Sequence, residues 1–377
     1  MRVLITNALL DRGGGTQTDV RDLAVWLLSR GHSPFVYSPV LGDGAAQLRR
    51  HTVPVTEDLS TVGAVPDIIH GNSSVETVIA MLRFPTVPAI FVCHSWNGLM
   101  AAPPKFARVR RYVAVDETCA DRLLVEEGLS ADKVSVLLNA VDMSRFPLRG
   151  PLPPRPKRAL VFGNPAHELT YLSLVREACR KAEVDLDVAG ALAGNYTTEP
   201  ETLLGQYDLV FAKAKCAMEA MVAGTAVILC DGPGIGGMVR SYEVERLRRF
   251  NFGVRTMTTP LSVEAFSREI EAYDAADARK VSDMMRRAAP ADARHEALVA
   301  LYEEVIAEQE RAGDGNWADD SRAAAAFIER MARGSRLGHD QIHVALRATQ
   351  RIFSIPILGP GMTKAAKWLL GKGERGR

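Results

Sequence analysis

Apolar residues along this chain fall in short runs separated by longer stretches in which they recur at helical spacing. Residues 3–9 read as a first buried strand, and Gly13, Gly14 and Gly15 as the turn that follows it. Residues 16–29 carry helical periodicity through Val20, Leu23, Ala24, Leu27 and Leu28, with Gly31 as the stop. Residues 34–37 continue as a second strand. The short apolar segments 67–70 and 89–93 come next, the first ending in His70 and the second followed by His94. A strand at 112–115, a helix at 118–127 and a strand at 134–138 keep the alternation going. That order predicts a parallel sheet covered by helices.

Five prolines, Pro147, Pro151, Pro153, Pro154 and Pro156, then exclude helix and central strand, so residues 147–157 read as a linker. The alternation restarts with a strand at 159–162, a helix at 167–181, a strand at 186–189, a loop through Tyr196 and a strand at 208–211. From residue 261 the pattern turns helical, with segments at 265–273, 277–288 and 293–310, a break at Gly313 and Gly315, and a last helix at 321–331. The expected organisation is two βα domains, 1–150 and 151–315, facing each other across a cleft, then a C-terminal helix (316–340) and a tail (341–377). Such a cleft is the default binding site.

The rest of the chain is organised around residues 211–239, FAKAKCAMEAMVAGTAVILCDGPGIGGMV. They read as an Ala/Met-rich helix carrying Glu219, a stop at Gly224, a buried strand at 226–230 and a glycine-rich turn at 231–237. Lys213 and Lys215 lie near the start of that helix. Ligands of open parallel sheets bind where loops leave the carboxyl ends of strands, so both ends of this stretch are placed to line one cleft. Glu219 sits among Ala217, Met218, Ala220, Met221 and Val222, where a carboxylate is costly unless partnered, and a vicinal diol would occupy both its oxygens. The alternative is an exposed helix face with Glu219 paired to Lys215. Gly13–Gly15 fit either a structural turn or a ligand loop. Gly232, Gly234, Gly236 and Gly237 offer a second set of unobstructed amides for an anionic or sugar ligand. The first set is not GxGxxG, since Thr16 follows Gly15, and the second does not open the first βαβ unit as a dinucleotide fingerprint should.

Composition narrows the classes. A chain of 377 residues with 47% hydrophobic and 24% charged residues and a formal charge of +1 is long enough for two buried domains and gives no global field for nucleic acid. Cys93, Cys119, Cys179, Cys216 and Cys230 have neither CxxC nor metal-ligand spacing and read as reduced thiols. The first ten residues resemble a signal segment until Asp11 and Arg12 interrupt them, and no window is long and apolar enough to span a bilayer. A cytoplasmic location is the expectation. Residues 341–377 hold seven basic residues against the single acid Glu374. Either this tail lies on an anionic membrane surface, at the inner face, or it is solvated or packed on its own protein.

The motifs taken together resemble retaining glycosyltransferases of the GT-B fold and are similar to glycosyltransferase family 4. EAMVAG at 219–224, AVIL at 226–229 and DGPGIGG at 231–237 match that family's Glu-Ala-Met stretch, strand and glycine loop. RGGGTQ at 12–17, PDIIHGNS at 66–73, FVCHS at 91–95, VAVDETCADRLL at 113–124 and KVSVLLNAVDMSRF at 133–146 agree, and the likeness covers roughly residues 1–310. It implies two Rossmann-like domains, with the acceptor on the first and the nucleotide sugar on the second, and transfer from a UDP- or GDP-sugar to a carbohydrate or lipid-linked acceptor. No metal or other cofactor is implied beyond that co-substrate. Glu219 would hold the ribose, Gly14 and Gly15 would approach the donor phosphates or the acceptor, and Gly234, Gly236 and Gly237 would shape the donor pocket. His94 would face the transferred sugar. Two features depart from the family. The first acid of its Glu-x7-Glu motif falls at Phe211, and its Arg/Lys clamp has no counterpart in VFGNPAHELT at 161–170. Lys213 or Lys215 is the expected stand-in for charge on the leaving diphosphate. The alternatives are a catalytically lapsed nucleotide-sugar binder or scaffold of the same fold, and a nucleotide-sugar epimerase.

Overall fold

The computed structural model describes residues 1–11, 14–313 and 317–334. Met1–Asp320 forms one compact unit, and a second runs from Ser321, of which residues 321–334 are described and are helical. Expectations for the tail at 341–377 fall outside the described residues.

The first sheet contains β1 (Arg2–Thr6), β2 (Ser33–Tyr37), β3 (Val55–Thr56), β4 (Ile68–Gly71), β5 (Ala89–Cys93), β6 (Val109–Ala114) and β7 (Val134–Val136). Their order is β3-β2-β1-β4-β5-β6-β7, and each neighbouring pair is parallel. The order reverses between β1 and β4, so the ends at Thr6 and Gly71, which pair in register, open onto the ligand crevice of such a sheet. Helices α1 (Gly15–Ser29), α2 (Asp43–Arg50), α3 (Ser74–Arg83) and α4 (Glu117–Asp121) connect the strands.

The second sheet contains β8 (Arg158–Phe162), β9 (Asp185–Ala189), β10 (Leu209–Ala212), β11 (Ala226–Asp231) and β12 (Gly234–Met238), in the order β12-β11-β10-β8-β9. Its switch point lies between β8 and β10. With it go α5 (Leu172–Lys181), α6 (Ala214–Ala223), α7 (Val244–Arg248), α8 (Val263–Glu271) and α9 (Ala275–Ala288). Strand side chains alternate between two apolar layers. Leu160, Val210 and Val227 pack with Met218 and Met221 of α6 and Met285 of α9. Val161, Phe211 and Ile228 pack with Val175 of α5 and Phe266 of α8.

Several expectations change. Residues 231–237 are not a glycine turn but a hairpin. Gly232 and Pro233 reverse the chain, β12 returns antiparallel to β11, and Ile235 inserts into the core at 1% exposure. The helix expected at 167–181 starts at Leu172, because Thr170 Oγ1 bonds to the His167 carbonyl at 2.6 Å and closes a turn first. Residues 43–50 form α2, an element absent from the expected order. Helix α10 (Ala291–Ala312), expected in the second domain, packs on the first. Trp26 Nε1 donates to Asp292 at 2.7 Å, Tyr302 meets His70, and Arg110 donates to Gln309 at 2.7 Å. Apolar periodicity shows that a helix is amphipathic and leaves open which sheet it covers.

Candidate functional site

Helix α6 is buried nearly all round, and it ends at Gly224, whose φ of 93° places it in the left-handed conformation that suits glycine. This burial decides the state of Glu219. Its residue is 3% exposed, and its carboxylate has no hydrogen-bond partner among the described residues. Burial raises its pKa to about 7, with Lys215 acting against that rise and Asp22 adding to it. The exposed-face alternative for Glu219 is thereby removed. The pocket it lines is shared with Gly14, Gly15, Gln17, Asn164, Thr198 and Lys215, so both domains wall it. Its volume is about 70 Å³, well short of the roughly 300–1,000 Å³ of ordinary ligand pockets. The two domains touch beside this pocket. Gln47 Nε2 donates to Thr198 O at 3.2 Å, and Tyr196 to Asp43 at 2.5 Å.

Lys215 lies at the centre of the domain contact. Its ammonium donates to Asp19 Oδ1 at 2.8 Å and to Ala140 O at 2.7 Å, and Asp22 Oδ2 is 3.9 Å away. Arg294 reaches Asp19 Oδ2 at 3.5 Å. Burial pulls the Lys215 ammonium down, but Asp19 and Asp22 outweigh it and leave its pKa raised. Burial pushes the Asp19 carboxyl up, but Lys215 and Arg294 hold it well below the usual range. Lys213 is placed differently. It precedes α6 and pairs with Asp231 of β11, with 38% of its side chain exposed. Among the described residues, Lys215 is the one cation lining the Glu219 pocket.

His94 follows β5 and lies at the edge of this charge cluster, partly buried. Burial lowers its pKa to about 4, Asp19 opposes that fall, and Arg294 and Lys215 deepen it. Its Nε2 is 2.7 Å from Asn72 Oδ1. Gly234, Gly236 and Gly237 lie elsewhere, on β12. A Cβ at Gly234 would meet Thr259 O at 2.7 Å, and one at Gly236 would meet Thr256 O at 3.0 Å, so these two glycines permit strand packing. They are outside the Glu219 pocket lining, whereas Gly14, Gly15, Lys215 and Glu219 meet there.

Asp19, Gln17, Asn72 and Asn164 were not singled out from the sequence. Asn72 was the most accessible of these: it follows His70 by two residues, the spacing that puts side chains on one face of a strand. A larger cavity of about 620 Å³ lies between α1, residues 142–145 and the start of α10. Three of the five carboxylates lining it are already engaged: Asp22 by Arg21 and Arg145, Glu201 by Arg145, and Asp292 by Trp26. The smaller pocket, with its unpartnered acid, is the better candidate for chemistry.

Residues 13–145 match the sequence model of Glycosyltransferase Family 4. No match was found among curated proteins. Among solved structures, the chain is similar to a glycosyltransferase from Rickettsia africae, with 15% identity, a TM-score of 0.59, and 81% of this chain and 98% of that one covered. It is similar to Anabaena HepE in complex with UDP and glucose, with 14% identity, a TM-score of 0.60, and 80% and 99% covered. It is also similar to a candidate UDP-N-acetylglucosamine 2-epimerase from Listeria monocytogenes, with 14% identity, a TM-score of 0.51, and 84% and 99% covered. The chain has the GT-B fold, two Rossmann-like domains facing each other across a cleft, and its N-terminal part is similar to Glycosyltransferase Family 4.

Proposed function

We propose that this chain is a glycosyltransferase that moves a sugar from a UDP- or GDP-sugar to a carbohydrate or lipid-linked acceptor, with retention at the anomeric carbon. Glu219 carries the reading: a buried acid without a hydrogen-bond partner among the described residues, lining an interdomain pocket at the carboxyl end of the second sheet. A ribose diol offers two hydroxyl donors to its two oxygens. Gly14 and Gly15 expose backbone at the start of α1, where amides favour an anion such as the donor diphosphate. Negative charge grows on that diphosphate as the glycosidic bond breaks, and Lys215, in the pocket lining, is the first cation to stabilise it, by turning its ammonium from Asp19 and the Ala140 carbonyl towards phosphate. Lys213 is the second and has to exchange Asp231 for phosphate. His94 faces the transferred sugar from the first domain. The basic residues 341–377 extend the reading to a peripheral contact with an anionic membrane. Unchanged vesicle binding after their deletion would refute that extension.

One observation favours a second reading, a nucleotide-sugar binder that has lost catalysis. Phe211, at the position where the resemblance implies an acid, is fully buried against Phe266, with ring centroids 5.9 Å apart. Calorimetric titration of the full chain with UDP-, GDP-, ADP- and dTDP-sugars, for wild type and Glu219→Gln, tests both. Selective binding that the variant loses establishes the donor site, and product of retained anomeric configuration by NMR establishes the transfer. Binding without turnover supports the lapsed reading, interconversion of the donor without acceptor supports an epimerase, and no binding refutes the donor site.

A further inference from the structure

His94 is not an isolated ring. Its Nε2 is 2.7 Å from Asn72 Oδ1, and His70 Nε2 is 3.2 Å from the same oxygen. Asn72 Nδ2 donates to the Thr6 carbonyl at 3.2 Å. A carbonyl accepts only, so that contact fixes which end of the amide faces the histidines: the flipped amide would oppose oxygen to oxygen. Both rings must then carry hydrogen on Nε2. His70 Nδ1 is left as an acceptor, and the Tyr302 hydroxyl donates to it at 2.6 Å. His70, Asn72 and Tyr302 are 3%, 7% and 0% exposed, so water does not compete for these groups. For His94 the remaining nitrogen is Nδ1, and in the neutral ring it carries a lone pair.

We propose that Asn72 is a positioning residue that holds His94 as the Nε2–H tautomer, so that His94 acts on the sugar as a hydrogen-bond acceptor through Nδ1, with His70 and Tyr302 keeping Asn72 in place. The inference rests on the reading of His94 as the sugar-facing residue. It makes a substrate hydroxyl the group that His94 recognises, because a lone pair at Nδ1 accepts and cannot donate. It also makes α10 part of the site. Tyr302 comes from a helix that follows the whole second domain and returns to the first.

The test is long-range proton–nitrogen NMR of the ring-labelled full chain, with His94 assigned by comparison with His94→Gln. Wild type is expected to show His94 protonated on Nε2 and bare at Nδ1. Asn72→Asp keeps an acceptor oxygen towards the histidines but sets its other oxygen against the Thr6 carbonyl, so it is expected to keep His94 protonated on Nε2 in a less stable protein. Asn72→Leu is expected to lose that tautomer and to lower kcat roughly 10- to 100-fold with little change in donor KM. Tyr302→Phe removes one hydroxyl and is expected to loosen His70 before His94. A His94 protonated on Nδ1 in wild type, or an Asn72→Leu protein with unchanged tautomer and kcat, overturns the proposal. Failure of wild type to bind any nucleotide sugar overturns the functional reading instead, and the wild-type spectrum still decides the tautomer.

Discussion

Lys215 Nζ lies 2.8 Å from Asp19 Oδ1, and this pair joins the second domain's α6 to the first domain's α1. Asp19 also faces Arg294 of α10, so one carboxylate ties together three helices that are far apart in sequence. Charges removed from water at this depth depend on one another. Removing one member leaves the rest uncompensated.

Asp19→Ala is therefore expected to destabilise the folded chain by roughly 3–5 kcal/mol. The double variant Asp19→Leu with Lys215→Met is expected to recover part of that loss, since it leaves no uncompensated charge at this contact except Arg294. Urea unfolding of the full chain measures both. A single variant as stable as wild type would show the pair to be dispensable.

Acid should weaken the fold well before pH 4. Burial lowers His70 to about 3, and His94 and His295 to about 4, below an unfolded value of 6.5. Between those values the unfolded chain binds protons that the folded chain refuses, so stability falls as pH drops below about 6.5. Glu219 acts in the opposite direction. Its folded value of about 7 lies above the ordinary 4.5, so the fold gains from this group as pH falls from 7. Three histidines outweigh one glutamate, and the net loss from pH 7 to pH 5 is on the order of 3 kcal/mol. The unfolding midpoint is expected to fall over that range.

Glu219→Gln isolates the acid's share. It removes a carboxylate that is costly to ionise where it sits, so the variant is expected to be more stable than wild type at pH 8 by up to about 3 kcal/mol and to bind donor poorly. The two should converge near pH 4.5. Equal stability at pH 8 would mean that Glu219 is not held in the environment described.

Ala214 has a φ of 48° between the two lysines, and its amide bonds to Phe252 O at 3.0 Å, where Asn251 and Phe252 also have positive φ. A side chain in this conformation costs roughly 1 kcal/mol or more. Ala214→Gly should raise the thermal midpoint, and Ala214→Val should lower it. A lower midpoint for the glycine variant would show that the strain is absent.

Supplying the acid that the family resemblance implies should not improve the enzyme. Phe211→Glu places a carboxylate against Phe266 in a fully apolar layer, with an expected loss of several kcal/mol. A soluble, more active variant would show that this side chain can reach the donor.

Much of the fold was legible because parallel strands buried on both faces leave unbroken apolar runs, as in β1, β5 and β11. The short helix α2 was not: its eight residues are polar enough to pass for loop. Glycines at 232–237 looked like ligand turns, yet a hairpin needs the same freedom from side chains. Only the contacts of Gly234 and Gly236 separate the two uses.

The sequence by itself determined the two βα domains and a helix with Glu219 among apolar neighbours, because local periodicity sets these. Tertiary structure decided what Glu219, Lys215 and His94 meet. Asp19 comes to Lys215 from 196 positions away, and Tyr302 to His70 from 232. Hydrophobic spacing records which side of an element is buried. The partner of a buried charge is fixed only when the elements pack.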